Sequence, residues 1–181
     1  MCGITGFVAK QDGMHEIINS MRSAIKHRGP DSAGSWVDEN IGIALGHQRL
    51  AIQDLSEAGH QPMRSPSSQF LITFNGEIYN HFEIRESLQK SSNTPIAWNG
   101  HSDTETLVTA FDYIGIEKTL SIAKGMFALA VWDEKSQLLT LARDRLGEKP
   151  LFYGFLKNNL VFGSELKAIR KFPDFNNKIS K

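Results

Sequence analysis

Residue 2 is the single cysteine of this 181-residue chain, and Gly3-Ile4-Thr5-Gly6-Phe7 follows it directly. Cysteine is small enough to permit excision of Met1, and that excision would place a thiol and a free α-amine on one Cα. An α-amine titrates at about 7.7–8.0 and a free thiol near 8.5, so at neutral pH the amine is partly neutral and can accept the thiol proton. One residue would then supply both nucleophile and general base. The alternative is an inert thiol that packs as a small hydrophobe. Residues 3–8, Gly-Ile-Thr-Gly-Phe-Val, form a short β-prone run that would tie the terminus into a strand and aim the cysteine.

A thiolate that attacks an amide needs donors for the oxyanion, and losing one donor costs about 2.7–4 kcal/mol of barrier. Asn75-Gly76-Glu77 follows the strand-like run Phe70-Leu71-Ile72-Thr73-Phe74. The Asn75 amide and the Gly76 N–H would be two such donors, although Asn-Gly is also the strongest short hairpin signal. Arg49 ends the run Gly46-His47-Gln48-Arg49. Its guanidinium suits either a carboxylate held bidentately, as in an amino-acid ligand, or an ordinary surface ion pair. Asp103 would accept from an ammonium group or simply complement a helix N-terminus after Ser102. His27, His47, His60, His81 and His101 show no metal-ligand spacing, and no phosphate-binding G-x-x-x-x-G-K-[ST] loop occurs. No metal or cofactor is expected in this chain.

The elements that must position these residues follow from periodicity. Met14, Ile17, Ile18, Met21 and Ile25 fall at helical spacing, and Gly29-Pro30 closes that helix. Strand-like runs cover 33–38, 42–48 and 70–74, with 56–69 a loop by composition. Helices are expected over His81–Gln89, Ser102–Tyr113 and Ile116–Ala123, the second with Ser102 and Glu105 spaced as a capping box. Met126–Trp132 and Leu138–Arg143 read as one hairpin, Leu151–Leu156 and Leu160–Gly163 as another, and Glu165–Lys171 as a last helical turn or two. Strands joined by hairpins with helices grouped between them imply antiparallel sheets covered by helices. The polar tail from Pro173 to Lys181 is expected to carry no element and to act as a linker.

Composition narrows the function classes. Apolar residues make up 40 % and charged residues 22 %, enough for a packed core. Twenty basic residues balance twenty acidic ones without a dense cluster, which argues against nucleic-acid or anionic-membrane partners. Residues 1–30 lack the pattern of a signal peptide, and no apolar run reaches membrane-spanning length. A cytoplasmic location is expected, and one cysteine cannot build an internal disulfide.

Taken in order, these motifs resemble the class II glutamine amidotransferases. The resemblance rests on Met1-Cys2-Gly3-Ile4, His27-Arg28-Gly29-Pro30-Asp31, Arg49-Leu50-Ala51-Ile52, Phe74-Asn75-Gly76-Glu77-Ile78-Tyr79-Asn80 and Ser102-Asp103-Thr104-Glu105. It continues through Ala142-Arg143-Asp144-Arg145-Leu146-Gly147-Glu148-Lys149-Pro150-Leu151 and Gly163-Ser164-Glu165-Leu166-Lys167. The variants Pro30, Glu77-Ile78-Tyr79-Asn80 and Arg143-to-Pro150 look like the glutamine-hydrolysing asparagine synthetase branch. The resemblance implies an α+β fold, a four-layer αββα sandwich of the N-terminal-nucleophile hydrolase type. It casts Cys2 as the nucleophile and Asn75 and Gly76 as the oxyanion hole. Arg49 would hold the glutamine α-carboxylate, and Glu77 and Asp103 the α-ammonium. The backbone of Leu50, Ala51, Ile52 and Gln53 would line the pocket, and Arg28 would shape it near Cys2.

The same resemblance implies L-glutamine as substrate and a synthetase domain, in cis or in trans, as partner; a homodimer is left open. Residues 1–172 would form the glutaminase domain and 173–181 a stub towards a synthetase domain, where ATP and magnesium would act. Two other outcomes remain for the ammonia or the domain: amidation of a uronic-acid sugar in a surface polysaccharide, and a silent interaction domain for a separate synthetase subunit. An amide hydrolase of the same fold that ignores amino acids is a third.

Overall fold

Alternation along the strands builds the layers. In β1 (Gly3–Val8), Ile4 and Val8 point one way and Thr5 and Phe7 the other. The same two-residue period sorts β5 (Phe70–Ile78), where Phe70, Ile72 and Phe74 join one apolar cluster and Leu71 joins another. The computed structural model describes residues 1–175. It contains a five-stranded antiparallel sheet in the order β2-β3-β1-β9-β8 and a four-stranded antiparallel sheet in the order β4-β5-β6-β7. The remaining strands are β2 (Ser32–Asp38), β3 (Ile43–Arg49), β4 (Met63–Arg64), β6 (Gly125–Asp133), β7 (Leu138–Arg143), β8 (Phe152–Leu156) and β9 (Asn159–Gly163).

Ile4, Ile43, Leu45 and Phe162 of the first sheet meet Leu71, Ala128, Ala130 and Trp132 of the second, all buried. The outer face of the first sheet is covered by α1 (Met14–Ser23) and α5 (Leu166–Ile169), through Phe7, Ile18, Met21 and Val161. The outer face of the second is covered by α2 (His81–Ser91), α3 (Asp103–Ile114) and α4 (Ile116–Ile122), through Ile84, Leu107, Phe111 and Leu129. The result is the expected αββα sandwich. Each large side chain removed from water in these three layers contributes about 1.5–3 kcal/mol before entropy is counted.

Several boundaries move from their sequence-based expectations. The first helix stops at Ser23, and a separate 3-10 turn covers Lys26–Arg28 before Gly29. The stretch 56–69 is not all loop: it holds a 3-10 turn at Glu57–Gly59 and the short edge strand β4, which pairs Met63 with Ile72. β5 continues through Ile78, so Asn75-Gly76 is strand interior and not a hairpin turn. Tertiary pairing with β6 overrides the local turn preference there. Phe172 is buried against Phe7 in an edge-to-face contact, with centroids 5.3 Å apart, and Phe175 packs on the same cluster. The remainder of the expected linker, 176–181, lies outside the described residues.

Candidate active site

Strand parity carries the chemistry to one mouth between the sheets. Cys2 continues the face of Ile4, and Arg49 continues the face of Ile43, Leu45 and His47. On the opposing sheet, Asn75 and Glu77 continue the face of Leu71 and Thr73. Where these strand ends converge there is a pocket, and Cys2, Arg49, Leu50, Ala51, Ile52, Gln53, Asn75, Gly76, Glu77 and Asp103 all line it. Every residue expected from the sequence to contact substrate is therefore in one place.

Cys2 is half-buried and held at three points. Its Sγ–H donates to Leu50 O at 3.6 Å, and Leu50 N–H donates back to Sγ at 3.4 Å. Arg28 Nε donates to the Cys2 carbonyl at 2.9 Å and Arg28 Nη1 to Glu165 Oε1 at 3.1 Å. Burial would raise the Glu165 carboxyl, but donors from Lys167, Arg28 and His27 hold it down at about 2. Burial pushes the Cys2 thiol up, and Asp103 adds to that rise. The Leu50 N–H, the Met1 amino group and Arg49 pull the other way. A thiol so placed needs a local base to become a thiolate.

Asn75 brings a buried donor without a protein partner to the pocket. The residue is 1 % exposed, and its Nδ2 has no hydrogen-bond partner. A buried amide donor left unpaired costs about 1–3 kcal/mol, unless something that visits the pocket accepts from it. Gly76 beside it is a steric necessity. A Cβ there would run into the Met126 carbonyl and lie 2.7 Å from Phe127 Cα. Only glycine lets β5 and β6 close at this point.

Arg49 is buried, and its guanidinium donates to the carbonyls of Ser56 (2.9 Å) and Asp54. Those contacts leave other N–H groups of the fork for a ligand. Gly59 lies directly under the fork, where a Cβ would strike Nη2. The 50–61 loop is fastened to α3 through Asp54, whose carboxylate accepts from Ser56 Oγ (2.6 Å), Ser56 N (2.8 Å) and His101 N (3.0 Å). The Ser56 hydroxyl and the His101 N–H bring the Asp54 carboxyl down to about 2.

Opposite Arg49 stand Glu77 and Asp103. Asp103 opens α3 directly after its cap, Ser102, whose Oγ accepts from Glu105 N at 3.2 Å. The expected box is only half formed, because the Glu105 carboxylate accepts instead from Asn99 N (2.7 Å), Gly100 N (3.1 Å) and Arg85 Nη2 (3.1 Å). Burial raises the Asp103 carboxyl to about 6, against N–H donors from Ile78 and Thr104, and the charge of Glu77 adds to the rise. The pocket is thus lined by cationic and anionic side chains together with a thiol and an unpaired amide.

Sequence reasoning assigned no role to Lys149, Gln61 or Thr104, which also line the pocket. Gln61 accepts from Phe74 N (2.6 Å) and donates to Thr104 Oγ1 (3.2 Å), so it stitches the loop to β5 and α3. Lys149 belongs to the Ala142-to-Leu151 motif, but no local spacing ties residue 149 to residue 2. Among the described residues, no group of three His, Cys, Asp or Glu side chains is placed to hold a metal ion. Among them also, no helix is long and apolar enough to cross a membrane.

A cysteine directly before β1, at the mouth of an αββα sandwich, matches the architecture expected of the N-terminal-nucleophile hydrolase fold. Residues 1–181 match the family model of the glutamine amidotransferase domain, and the chain belongs to that family. It is 37 % identical over 98 % of its length to a putative glutamine-hydrolysing asparagine synthetase 2 of Methanocaldococcus jannaschii, and covers 36 % of that protein. It is 38 % identical over 93 % of its length to glutamine-hydrolysing asparagine synthetase 1 of Bacillus subtilis, covering 26 % of it. The chain therefore spans about a quarter to a third of the length of these curated relatives. Among solved structures, the glutamine phosphoribosylpyrophosphate amidotransferase of B. subtilis, complexed with ADP and GMP, superimposes with a TM-score of 0.76 at 22 % identity. That match covers 93 % of this chain and 43 % of the other, and it supports the fold.

Proposed function

We propose that this domain hydrolyses L-glutamine to glutamate and ammonia through a thioester on Cys2, once Met1 is removed. The observation that carries this reading is the buried, unpartnered Asn75 Nδ2, on a residue that lines the same pocket as the cysteine. Arg49 would take the α-carboxylate, and Glu77 with Asp103 the α-ammonium, which fixes the side-chain carboxamide at the thiol. The Cys2 α-amine accepts the thiol proton, and sulfur bonds to the carboxamide carbon. Asn75 Nδ2 and Gly76 N–H hold the resulting oxyanion. As the oxyanion collapses, the C–N bond breaks and the ammonium returns its proton to the departing ammonia. Water, deprotonated by the same amine, then cleaves the thioester to glutamate.

None of these steps transfers electrons or calls for a Lewis acid. Ammonia released here would serve an ATP-dependent amidation, with asparagine synthesis as the acceptor reaction the relatives' names favour. The partner is then a synthetase portion that binds ATP and magnesium.

The test begins with protein whose loss of Met1 is verified by intact mass. Given millimolar glutamine, it should release glutamate, and Cys2→Ala should release none. Asn75→Ala should lower kcat by about 100- to 1000-fold with KM little changed. Equal turnover in the Cys2→Ala and parent proteins would sink the proposal.

A further inference from the structure

One buried cation in the pocket has no part in the steps above. Lys149 is 5 % exposed and lines the pocket with Met1 and Cys2. Its Nζ lies 3.0 Å from Met1 Sδ, and among the described residues that thioether is its only hydrogen-bond partner. A thioether is a weak acceptor, and among the described residues no carboxylate hydrogen-bonds this side chain.

The loop that presents Lys149 is braced from below. Asp144, buried after β7, accepts N–H bonds from Phe127 (3.1 Å), Leu146 (3.1 Å), Glu148 (2.9 Å) and Lys149 (3.0 Å). Arg143 donates to the carbonyls of Gly147 and Lys149. Gly147 turns the loop at a φ of 68°, with a built Cβ position only 3.0 Å from Arg143 Cζ. The backbone at 149 is thus fixed by both neighbours, which aims the side chain inward.

Met1 is bonded to the Cys2 nitrogen. The Lys149 ammonium therefore stands within one side chain's reach of the α-amine that Met1 removal creates, while Cys2 Sγ is hydrogen-bonded to Leu50. We propose that Lys149 is a positioning residue for proton transfer, whose fixed positive charge keeps the Cys2 α-amine neutral and able to accept the thiol proton. A like charge nearby disfavours the ammonium form. Arg49 from β3 and Arg28, bonded to the Cys2 carbonyl, act in the same direction. Glu77 from β5 and Asp103 from α3 act oppositely, and Glu165 is engaged by His27, Arg28 and Lys167. A substrate ammonium at Glu77 and Asp103 would offset one of those negative charges while its α-carboxylate engaged Arg49, which leaves Lys149 as a pocket cation that the substrate does not pair. This last consequence rests on the glutaminase reading; the effect of Lys149 on the amine does not.

Two measurements on Met1-free protein test the proposal. In kcat at saturating glutamine, Lys149→Met should move the acid limb upward by about one pH unit, regain parent activity above about pH 9, and leave Lys149→Arg at the parent midpoint. Independently of turnover, ¹³Cα-labelled cysteine gives a single NMR signal in a chain with one cysteine. Its amine titration should rise by the same amount in Lys149→Met. Unmoved midpoints, or an equal loss of activity at every pH, would overturn the assignment. A shifted NMR midpoint in protein that never hydrolyses glutamine would uphold Lys149 and remove the glutaminase reading instead.

Discussion

Asp103 combines burial with a direct hydrogen bond, from Ile78 N at 2.8 Å, and that combination gives the pocket a pH limit. Its carboxyl is raised to about 6, first by burial. As pH falls through that value, the carboxylate is neutralised and no longer balances a substrate ammonium. KM for glutamine should therefore rise below pH 6 while kcat changes less. Asp103→Asn should show a high KM that is flat over the same interval, as initial rates across a pH series would reveal. The stability sign is opposite. A raised folded value favours the protonated form, so its contribution is present below the ordinary carboxylate range and lost as pH rises through about 6. Charge type alone made Arg49 and Asp103 legible as candidates, since an amino acid needs one group of each sign. Lys149 was not legible, because its relation to Cys2 exists only through the loop braced by Asp144.

Between elements, His47 joins the two sheets. Its Nε2–H donates from β3 to the Phe74 carbonyl of β5 at 3.1 Å, while Nδ1 is buried without a partner. Complete burial lowers the imidazole to about 3, although the Phe74 carbonyl favours the charged form. Between about pH 6.5 and 3, the unfolded chain binds a proton that the folded chain refuses at His47, so the contribution of this residue to stability should decline as pH falls, against the opposite contribution of Asp103. The slope approaches about 1.4 kcal/mol per pH unit. His47→Gln should flatten it, as urea unfolding at a series of pH values would measure. Periodicity located nearly every strand and helix, because each has one face in a core layer. It could not extend β5 past Phe74, since Asn75-Gly76 has strong local turn chemistry and only the β6 backbone holds it extended. β4 was too short, at two residues, to display any period.

At the scale of the whole molecule, small and large residues share the layer between the two sheets. Ala128 and Ala130 share their layer with Phe162 and Trp132, all buried. Ala130→Leu should cost about 1–3 kcal/mol by overpacking, whereas Leu138→Ala, on an exposed position, should stay within about 0.5 kcal/mol; chemical denaturation separates the two. Strand neighbours were beyond the reach of local pattern. β1 sits inside its sheet, between β3 and a strand formed from residues 159–163. Ile4 N–H donates to Ser164 Oγ at 3.0 Å, and Ser164 N–H to Ile4 O at 2.8 Å. Biosynthesis gives this arrangement a timetable. The cysteine leaves the ribosome well before β9 (Asn159–Gly163), the strand that completes its support. Aminopeptidase trimming of the nascent terminus therefore yields no working catalyst until the chain has been made past Glu165, and prematurely terminated fragments release no ammonia.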